Sequence, residues 1–221
     1  MAPPTARVKR PYDAARRQAR AEESRRRLLE TARRLFFEQG YAGTTVAAVA
    51  AGAGVSVESV YKSYGNKARL ALALFHDAVA GTGPESAEVR ADRVSTEEAD
   101  PRRRLRAFGL FVAEVAPRVA PLMLLVRAAA ENDPELRTAW EEMVAQRLGR
   151  MTGHARRLSE EGHLRPGVGV DEARDVLWLY TAPEVFDLLV RQRGWSPDRF
   201  GAWVGEAYVA ALLPDFEARR S

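Results

Sequence analysis

Two short helical segments separated by a glycine-containing turn occupy residues 44–70, TTVAAVAAGAGVSVESVYKSYGNKARL. Thr44 or Thr45 can cap the first segment and Ser56 the second, because short hydroxyl side chains satisfy the free N–H groups at a helix start. Gly54 can adopt a positive φ in the turn without a Cβ penalty. This spacing is typical of a helix-turn-helix, although an ordinary helical hairpin in a bundle shares it.

Helical periodicity continues through most of the remaining chain. Apolar residues recur at i, i+3, i+4 and i+7, and no segment shows the period-2 alternation of a strand. Further predicted helices cover residues 24–39, 67–79, 105–116, 121–131, 136–158, 171–193 and 197–212, with a helix end at Pro117 and a long polar loop over residues 81–100. We therefore predict an all-α fold of about nine helices.

Charge is unevenly distributed along the sequence. Residues 1–69 carry 14 Lys and Arg against 6 Asp and Glu, a net charge of +8, whereas residues 70–221 carry 20 against 24, a net charge of −4. A basic first third suits a domain that binds a polyanion, although a basic tail on an ordinary helical protein gives the same balance. We expect residues 1–20 to be a flexible basic arm, either solvated or adding phosphate or minor-groove contacts.

Several classes of protein are not expected. The chain has no Cys, which leaves no disulfide framework or zinc-binding thiolate. It has no run of eighteen apolar residues and no apolar segment of a secretory signal, so we expect a cytoplasmic protein without a membrane span. The motifs of phosphate-binding loops, zinc proteases and serine hydrolases are absent and the three His are scattered. We therefore expect no enzyme, no cofactor and no metal.

The segment as a whole resembles the TetR family of bacterial transcriptional regulators. The resemblance covers residues 24–75 and rests on GYAGTT at residues 40–45, AAGAGVS at residues 50–56 and VYKSYGNKARL at residues 60–70. It implies a helix-turn-helix DNA-binding domain at residues 21–66. It also implies a connecting helix at residues 67–80 that carries a change from pocket to DNA-binding domain, and a ligand-binding and dimerisation domain at residues 81–221.

The second helix of the motif is predicted to read DNA. Its capped N-terminus faces outward, and its polar face can meet base edges, while Tyr61, Tyr64 and Lys67 suit phosphate contacts. The resemblance implies that Thr45 and Lys67 contact phosphate, although Tyr64 stands where members usually have Phe. The predicted DNA-binding residues are Thr44, Thr45, Ser56, Val57, Glu58, Ser59, Tyr61, Lys62, Tyr64 and Lys67.

The C-terminal helices are predicted to hold a ligand and a dimer interface. Polar and aromatic groups on otherwise apolar stripes are the candidate ligand contacts, and these are Arg127, Trp140, His154, Trp178, Tyr180 and Glu184. An aromatic-rich stripe favours an interface core, although it can equally pack on its own subunit. The predicted dimerisation residues are Phe186, Leu189, Phe200, Trp203, Val204, Ala207 and Tyr208.

These features together predict a DNA-binding transcriptional regulator. Proteins of the family suggest a homodimeric repressor that binds a palindromic operator in double-stranded DNA and is released by an apolar or aromatic small-molecule inducer. The sequence leaves open a helical protein–protein adaptor with a basic head, and an activator or ligandless regulator of the same family.

Overall fold

The computed structural model describes residues 11–81, 83 and 85–215, and this part of the chain contains helices and no strand, which confirms the predicted all-α fold. The helices are α1 (Pro11–Gly43), α2 (Val46–Ala53), α3 (Val57–Tyr64), α4 (Lys67–Ala80), α5 (Ala87–Glu97), α6 (Pro101–Ala130), α7 (Pro134–Glu160), α8 (Val170–Tyr180), α9 (Pro183–Phe186), a π-helical segment (Asp187–Gln192) and α10 (Pro197–Leu212).

The first helix begins earlier than the apolar pattern predicts. α1 starts at Pro11, so residues 11–20 are helical where a flexible arm was expected, and residues 1–10 lie outside the described residues. Residues 16–23 are exposed, and no apolar stripe marks them. Helix-forming Ala, Arg and Glu supply the propensity there. Glu22–Arg25 and Glu23–Arg26 pairs at i,i+3 add about 0.2–0.5 kcal/mol each.

The middle of the chain corrects two further expectations. The predicted loop over residues 81–100 contains α5, which Ser86 caps by accepting from Val89 N. Its buried stripe consists of the small residues Ala87 and Ala91, a weak periodic signal. Pro117 does not end a helix, because α6 continues through it. The packing of α6 against its neighbours compensates for the hydrogen bond that proline removes.

The predicted helix over residues 171–193 is also interrupted. α8 ends at Tyr180, and Pro183 opens α9 at its first position, where a missing N–H costs nothing. Thr181 Oγ1 lies 3.2 Å from Leu177 O and 3.1 Å from Trp178 O, so its one proton is shared between two carbonyl oxygens at the end of α8. The residues at this break line part of a cavity in the C-terminal unit.

The chain divides into two compact units between Ala73 and Leu74. In the N-terminal unit, α1 packs its apolar face on the short helices that follow it. The fully or nearly fully buried side chains of this unit include Ala32, Phe36, Val49, Ala50, Val60 and Leu70. Gly52 allows the close approach of α2 to α1, since an added Cβ would lie 2.8 Å from Thr31 Cγ2.

The C-terminal unit is organised around a crossing of α6 and α10. Three glycines meet at this crossing, because a Cβ on Gly109 would lie 2.5 Å from Gly201 O and 2.5 Å from Gly205 N. Phe200, Val204 and Tyr208 are buried beside it in the core of this unit. The backbones therefore approach more closely than any larger residue would allow.

Helix α6 is long and apolar enough, by length and composition, to cross a membrane. It also carries Glu114 and Arg118, and Arg118 Nε donates to Ala78 O at 2.7 Å. Its apolar residues that are only partly buried, such as Val112 and Val119, line a cavity in the C-terminal unit. The composition of α6 is thus explained by packing and cavity lining, and it is not a clear membrane span.

Substituting Gly109→Ala should destabilise the C-terminal unit. The new methyl would meet backbone atoms that cannot move aside, and such overpacking costs about 1–3 kcal/mol of unfolding free energy. Gly149→Ala on α7 is the matched control, since an added Cβ there meets nothing within 4 Å. We expect it to be neutral or stabilising by about 0.5–1 kcal/mol. Urea unfolding at fixed protein concentration measures both, and equal stabilities would contradict the close crossing.

Candidate DNA-binding helix and ligand cavity

The turn between α2 and α3 has the geometry that a helix-turn-helix requires. Gly54 takes the left-handed conformation with φ 67°. Gly54 N donates to Ala51 O at 3.2 Å, and Val55 N donates to Ala50 O at 3.0 Å. This pair of bonds is a Schellman motif, which satisfies the last carbonyls of α2. The turn therefore confirms the role predicted for Gly54 and sets the start of α3.

Helix α3 presents a polar, exposed N-terminus. Ser56 Oγ accepts from Ser59 N at 3.1 Å and lies 2.7 Å from Ser59 Oγ. Val60 is buried and anchors the helix, whereas Val57 is 39% and Tyr61 is 50% exposed. Free N–H groups, hydroxyls and two exposed apolar side chains share this end of α3. Such a surface can contact phosphate oxygens, base edges and thymine methyl groups.

The structure brings most of the predicted DNA-binding residues onto the solvent-exposed surface of the N-terminal unit. The exposed ones are Thr45, Ser56, Val57, Glu58, Ser59, Tyr61 and Lys62. Tyr64 is half-buried. Thr45 is occupied as a cap, since its Oγ1 accepts from Ala48 N at 3.1 Å. Their contacts with DNA remain predictions.

Thr44 does not fit the predicted set. Its side chain is fully buried, and Oγ1 lies 3.0 Å from Leu35 O and 2.9 Å from Gly40 O. Gly40 breaks the helical path within α1 with φ 72° and ψ 172°, which leaves carbonyl groups without helical partners. The single hydroxyl proton of Thr44 is shared between these two carbonyl oxygens. Thr44 is therefore a structural residue whose hydroxyl is not free for DNA.

Lys67 is also engaged inside its own unit. Its Nζ donates to Tyr41 O at 2.9 Å and to Thr44 O at 3.1 Å, and it lies 4.2 Å from the centroid of the Tyr41 ring. Two of the three N–H groups of the ammonium are thus used within the unit, and the phosphate contact of Lys67 stays a prediction. Lys67 and Thr44 together satisfy the backbone between α1 and α2, and we call Thr44, Lys67 and the carbonyls of Leu35, Gly40 and Tyr41 the Gly40 corner.

The C-terminal unit contains a cavity of about 520 Å³. This volume is in the range of sites for drug-sized ligands. Its walls are the second half of α4, the start of α5, one face each of α6 and α7, and the break after α8. Most of the lining is apolar, including Phe108, Phe111, Val115, Val119, Met123, Met143, Met151 and Phe186.

A few polar groups interrupt this apolar lining, and they are His76, Ser86, Gln146, Arg147, Arg150 and Thr181. Arg147 Nη1 donates to Trp178 O at 2.8 Å and to Thr181 Oγ1 at 3.2 Å. The guanidinium also lies 4.6 Å from the centroid of the Trp178 ring. Burial lowers the pKa of Arg147 from its ordinary value, an effect that Glu184 and Tyr208 partly offset.

Of the six predicted ligand contacts, only Tyr180 lines this cavity. Arg127 pairs instead with Glu184 and lies 6.0 Å from the centroid of the Trp140 ring. The Arg127 side chain is 54% exposed. These three residues form a solvent-facing cluster. An arginine after an apolar run can satisfy its charge by reaching the surface, which is what Arg127 does.

His154 and Trp178 lie behind the lining. His154 packs 5.1 Å from the Phe108 ring centroid and lines a separate cavity of about 20 Å³. Burial lowers its pKa to about 4, so the ring is neutral near pH 7. Trp178 is covered by Arg147, and its Nε1 is buried without a hydrogen-bond partner among the described residues. Both residues pack in the core rather than face the main cavity.

The sequence contains a signal for Arg147 that the predictions missed. Met143, Arg147 and Met151 lie four residues apart on α7, which places them on one face of the helix. A charged residue inside an apolar stripe marks either a buried pair or a polar group in a pocket. His76 and Gln146 carry no comparable signal, because each lies next to the stripe of its helix.

The predicted dimerisation residues divide in the structure. Phe186, Phe200, Val204 and Tyr208 are buried within their own unit, so the prediction that they form an interface is wrong. The Tyr208 hydroxyl, for example, donates to Leu177 O at 3.2 Å. Leu189 and Ala207 are half-buried, and Trp203 remains 37% exposed. Other large exposed apolar residues are Leu179 on α8 and Leu188 in the π-helical segment.

Substituting Lys67→Ala should destabilise the N-terminal unit. The carbonyls of Tyr41 and Thr44 lose a charged donor, and hydrogen bonds to charged groups contribute about 1.5–3 kcal/mol each. Lys62→Ala on the exposed face of α3 is the matched control and should stay within about 0.5 kcal/mol of the parent. Thermal unfolding of both variants measures the difference. Unchanged stability in Lys67→Ala would show that the hydrogen bonds from Lys67 to Tyr41 O and Thr44 O do not stabilise the unit.

The N-terminal part of the chain matches a family model, and the chain as a whole is similar to solved structures. Residues 28–74 match the family model described as bacterial regulatory proteins, tetR family, which confirms the resemblance on α1 to α4. No curated protein sequence matches the chain. A similar solved structure is NalD of Pseudomonas aeruginosa, the secondary repressor of the MexAB-OprM multidrug efflux pump. It has 24% identity and a TM-score of 0.70, covering 88% of this chain and 100% of NalD.

Two ligand complexes have the same fold. SmeT bound to triclosan has 21% identity and a TM-score of 0.69, covering 87% of this chain and 93% of SmeT. FadR of Bacillus subtilis bound to stearoyl-CoA has 19% identity and a TM-score of 0.64, covering 83% and 97%. Residues 28–74 of this chain therefore match the tetR family of bacterial regulatory proteins, and the chain as a whole has the fold of these solved structures.

Proposed function

We propose that this protein is a homodimeric transcriptional repressor that binds a palindromic operator and is released when a small molecule enters the C-terminal cavity. The observation that carries the proposal is that one chain has both parts of such a device. An exposed, capped α3 lies in the N-terminal unit, and a largely apolar cavity of about 520 Å³ lies in the C-terminal unit.

The DNA-reading part of the proposal rests on α3. Glu58 can accept a hydrogen bond from cytosine N4, and Tyr61 and Val57 can contact a thymine methyl group. No arginine occurs between residues 57 and 64, so the common arginine–guanine pair cannot come from this helix. Lys62 is the cationic side chain of α3, and its exposed position allows a phosphate contact.

Exposed apolar groups on the last helices support the proposed dimerisation. Leu179, Leu188 and Trp203 are each between 37% and 53% exposed, and large exposed aromatic and aliphatic side chains favour an interface. Trp203 also packs at 5.2 Å from Tyr180 and 5.8 Å from Trp195, measured between ring centroids, which gives it a fixed orientation. We propose these three residues, in place of the buried ones, as the centre of the interface.

If a ligand is to release the protein from DNA, the cavity must be linked to the DNA-binding unit. Helix α4 is our candidate for this link. Its second half contributes Phe75, His76 and Val79 to the cavity lining, while its first residue, Lys67, holds the Gly40 corner. A ligand that favours one position of α4 would bias the position of α3. Such coupling typically amounts to about 1–3 kcal/mol, which changes operator affinity roughly 5–150-fold.

Selection of binding sites from a random pool of duplex DNA tests the proposal. We expect an enriched inverted repeat whose half-sites lie about one helical turn apart, roughly 34–36 Å, because a two-fold dimer presents two α3 helices to the major groove. Enrichment of a single half-site would contradict the dimer. No enrichment by folded, ligand-free protein would contradict DNA reading and favour the adaptor alternative.

Substituting Glu58→Ala should change the sequence that is enriched without abolishing binding, because a base contact sets specificity while phosphate contacts supply most of the affinity. Glu38→Ala is the matched control. Glu38 is an exposed α1 residue paired with Arg34, and its loss removes the same charge away from α3. Identical enriched sites for Glu58→Ala and the parent protein would show that α3 is not the reading helix at this position.

A further inference from the structure

We propose that the ligand of the C-terminal cavity is an amphipathic acid, an apolar molecule with one carboxylate, and that Arg147 binds the carboxylate. The inference rests on the proposed function in that it takes the cavity as the ligand site, and it adds the chemical class of the ligand. It depends on three features of the cavity, which are the unpaired edge of Arg147, the lack of an acidic partner and the apolar remainder of the lining.

One edge of the Arg147 guanidinium is unused. Nη1 makes both of the hydrogen bonds that the side chain forms, to Trp178 O and Thr181 Oγ1. Nε is buried without a hydrogen-bond partner in the described part of the chain, and Nη2 donates to no described residue. Nε–H and one Nη2–H point in the same direction along one edge of the planar guanidinium. Such a pair of parallel N–H groups can hold the two oxygens of a carboxylate.

No carboxylate of the described residues pairs with Arg147. Another buried arginine of the same unit shows the usual arrangement, since Arg104 pairs with Glu161 at 2.6 Å and donates to Glu98 O at 2.8 Å. The carboxylate of Glu184 interacts electrostatically with Arg147, but it forms its ion pair with Arg127. A partly desolvated cation without a counter-ion is costly. An anionic ligand would supply the missing charge.

The remaining lining sets the rest of the ligand. Aromatic and aliphatic side chains from α4, α6, α7 and α9 make most of the wall, which suits an alkyl chain or fused rings rather than a sugar or a nucleotide. Arg150, the other cation of the lining, already pairs with Asp92 at 3.4 Å. The lining therefore provides one unpaired cation for one acidic group.

A purely structural role for Arg147 makes a different prediction. Nη1 contacts the C-terminal end of α8, where a cation stabilises the last carbonyls and the helix dipole. If that contact were its whole role, Arg147 would affect stability and leave the preference among ligands unchanged. Comparing charged and neutral ligands of equal shape separates the two roles.

Isothermal titration calorimetry of the full chain tests the proposal with two matched pairs of probes, 2-naphthoate against 2-naphthamide and decanoate against decanol. We expect at least one acid to bind about tenfold or more tightly than its neutral partner, as a charge-assisted bidentate contact provides. In Arg147→Met this preference should disappear. In Arg150→Met, the matched control in the same cavity, it should persist.

Arg147→Lys covers the case in which Arg147→Met does not fold, because lysine keeps the charge but loses the paired N–H donors of the guanidinium. Its preference for the acid should fall between that of the parent protein and no preference. Equal binding of acid and neutral partner, failure of both acids to bind, or an acid preference that survives the loss of Arg147 would each overturn the proposal. Adding the acid to the protein–DNA complex is a separate measurement. Acid binding without DNA release would refute the release mechanism and leave the assignment of Arg147 intact.

Discussion

The presentation of α3 depends on how the backbone carbonyls at the Gly40 corner are satisfied. Gly40 leaves the helical path, and buried carbonyl groups without partners would be costly. Thr44 and Lys67, from opposite ends of the α2–α3 segment, supply the donors. They therefore fix where α2 begins and where α4 begins, and α3 is held between these two points with its N-terminus exposed.

In the C-terminal unit the corresponding constraint is the contact between α6 and α10. The glycines at positions 109, 201 and 205 let the two backbones touch, so this side of α6 needs no large side chains. The same helix uses Phe111, Val115 and Val119 to line the cavity. Helix α6 thus has two apolar faces, one packed against α10 and one lining the cavity. These two faces explain why its composition is as apolar as that of a membrane-spanning helix.

Local signals in the sequence were sufficient for α2, α3 and the turn between them. Ser56, Gly54 and the apolar stripe of α1 act through hydrogen bonds and contacts within a few turns, so their roles could be predicted from spacing. The purposes of Thr44 and Lys67 could not, because their partners are carbonyls that become free only where Gly40 breaks the helix. Ala87 and Ala91 of α5 form too small a stripe to be recognised before their neighbours are known.

The C-terminal unit was harder to predict for a physical reason. An apolar stripe shows which face of a helix avoids water, but not whether that face meets its own core, a cavity or a second subunit. Phe200 and Tyr208 turned out to be core residues, and Arg127 turned out to reach the surface. Arg147 has its polar partners on α8 and just after it, 31 and 34 residues away, so only the folded chain reveals its unpaired edge.

The exposed N-terminal end of α3 is the surface that we propose to contact DNA. Hydroxyl-radical footprinting of the protein side chains, with and without duplex DNA at low salt, tests this assignment. Tyr61 is 50% exposed on α3 and Leu110 is 54% exposed on α6, so both should be oxidised in the free protein. We expect DNA to protect Tyr61 and to leave the oxidation of Leu110 unchanged. Unchanged oxidation of Tyr61 in the saturated complex would show that this end of α3 does not contact DNA.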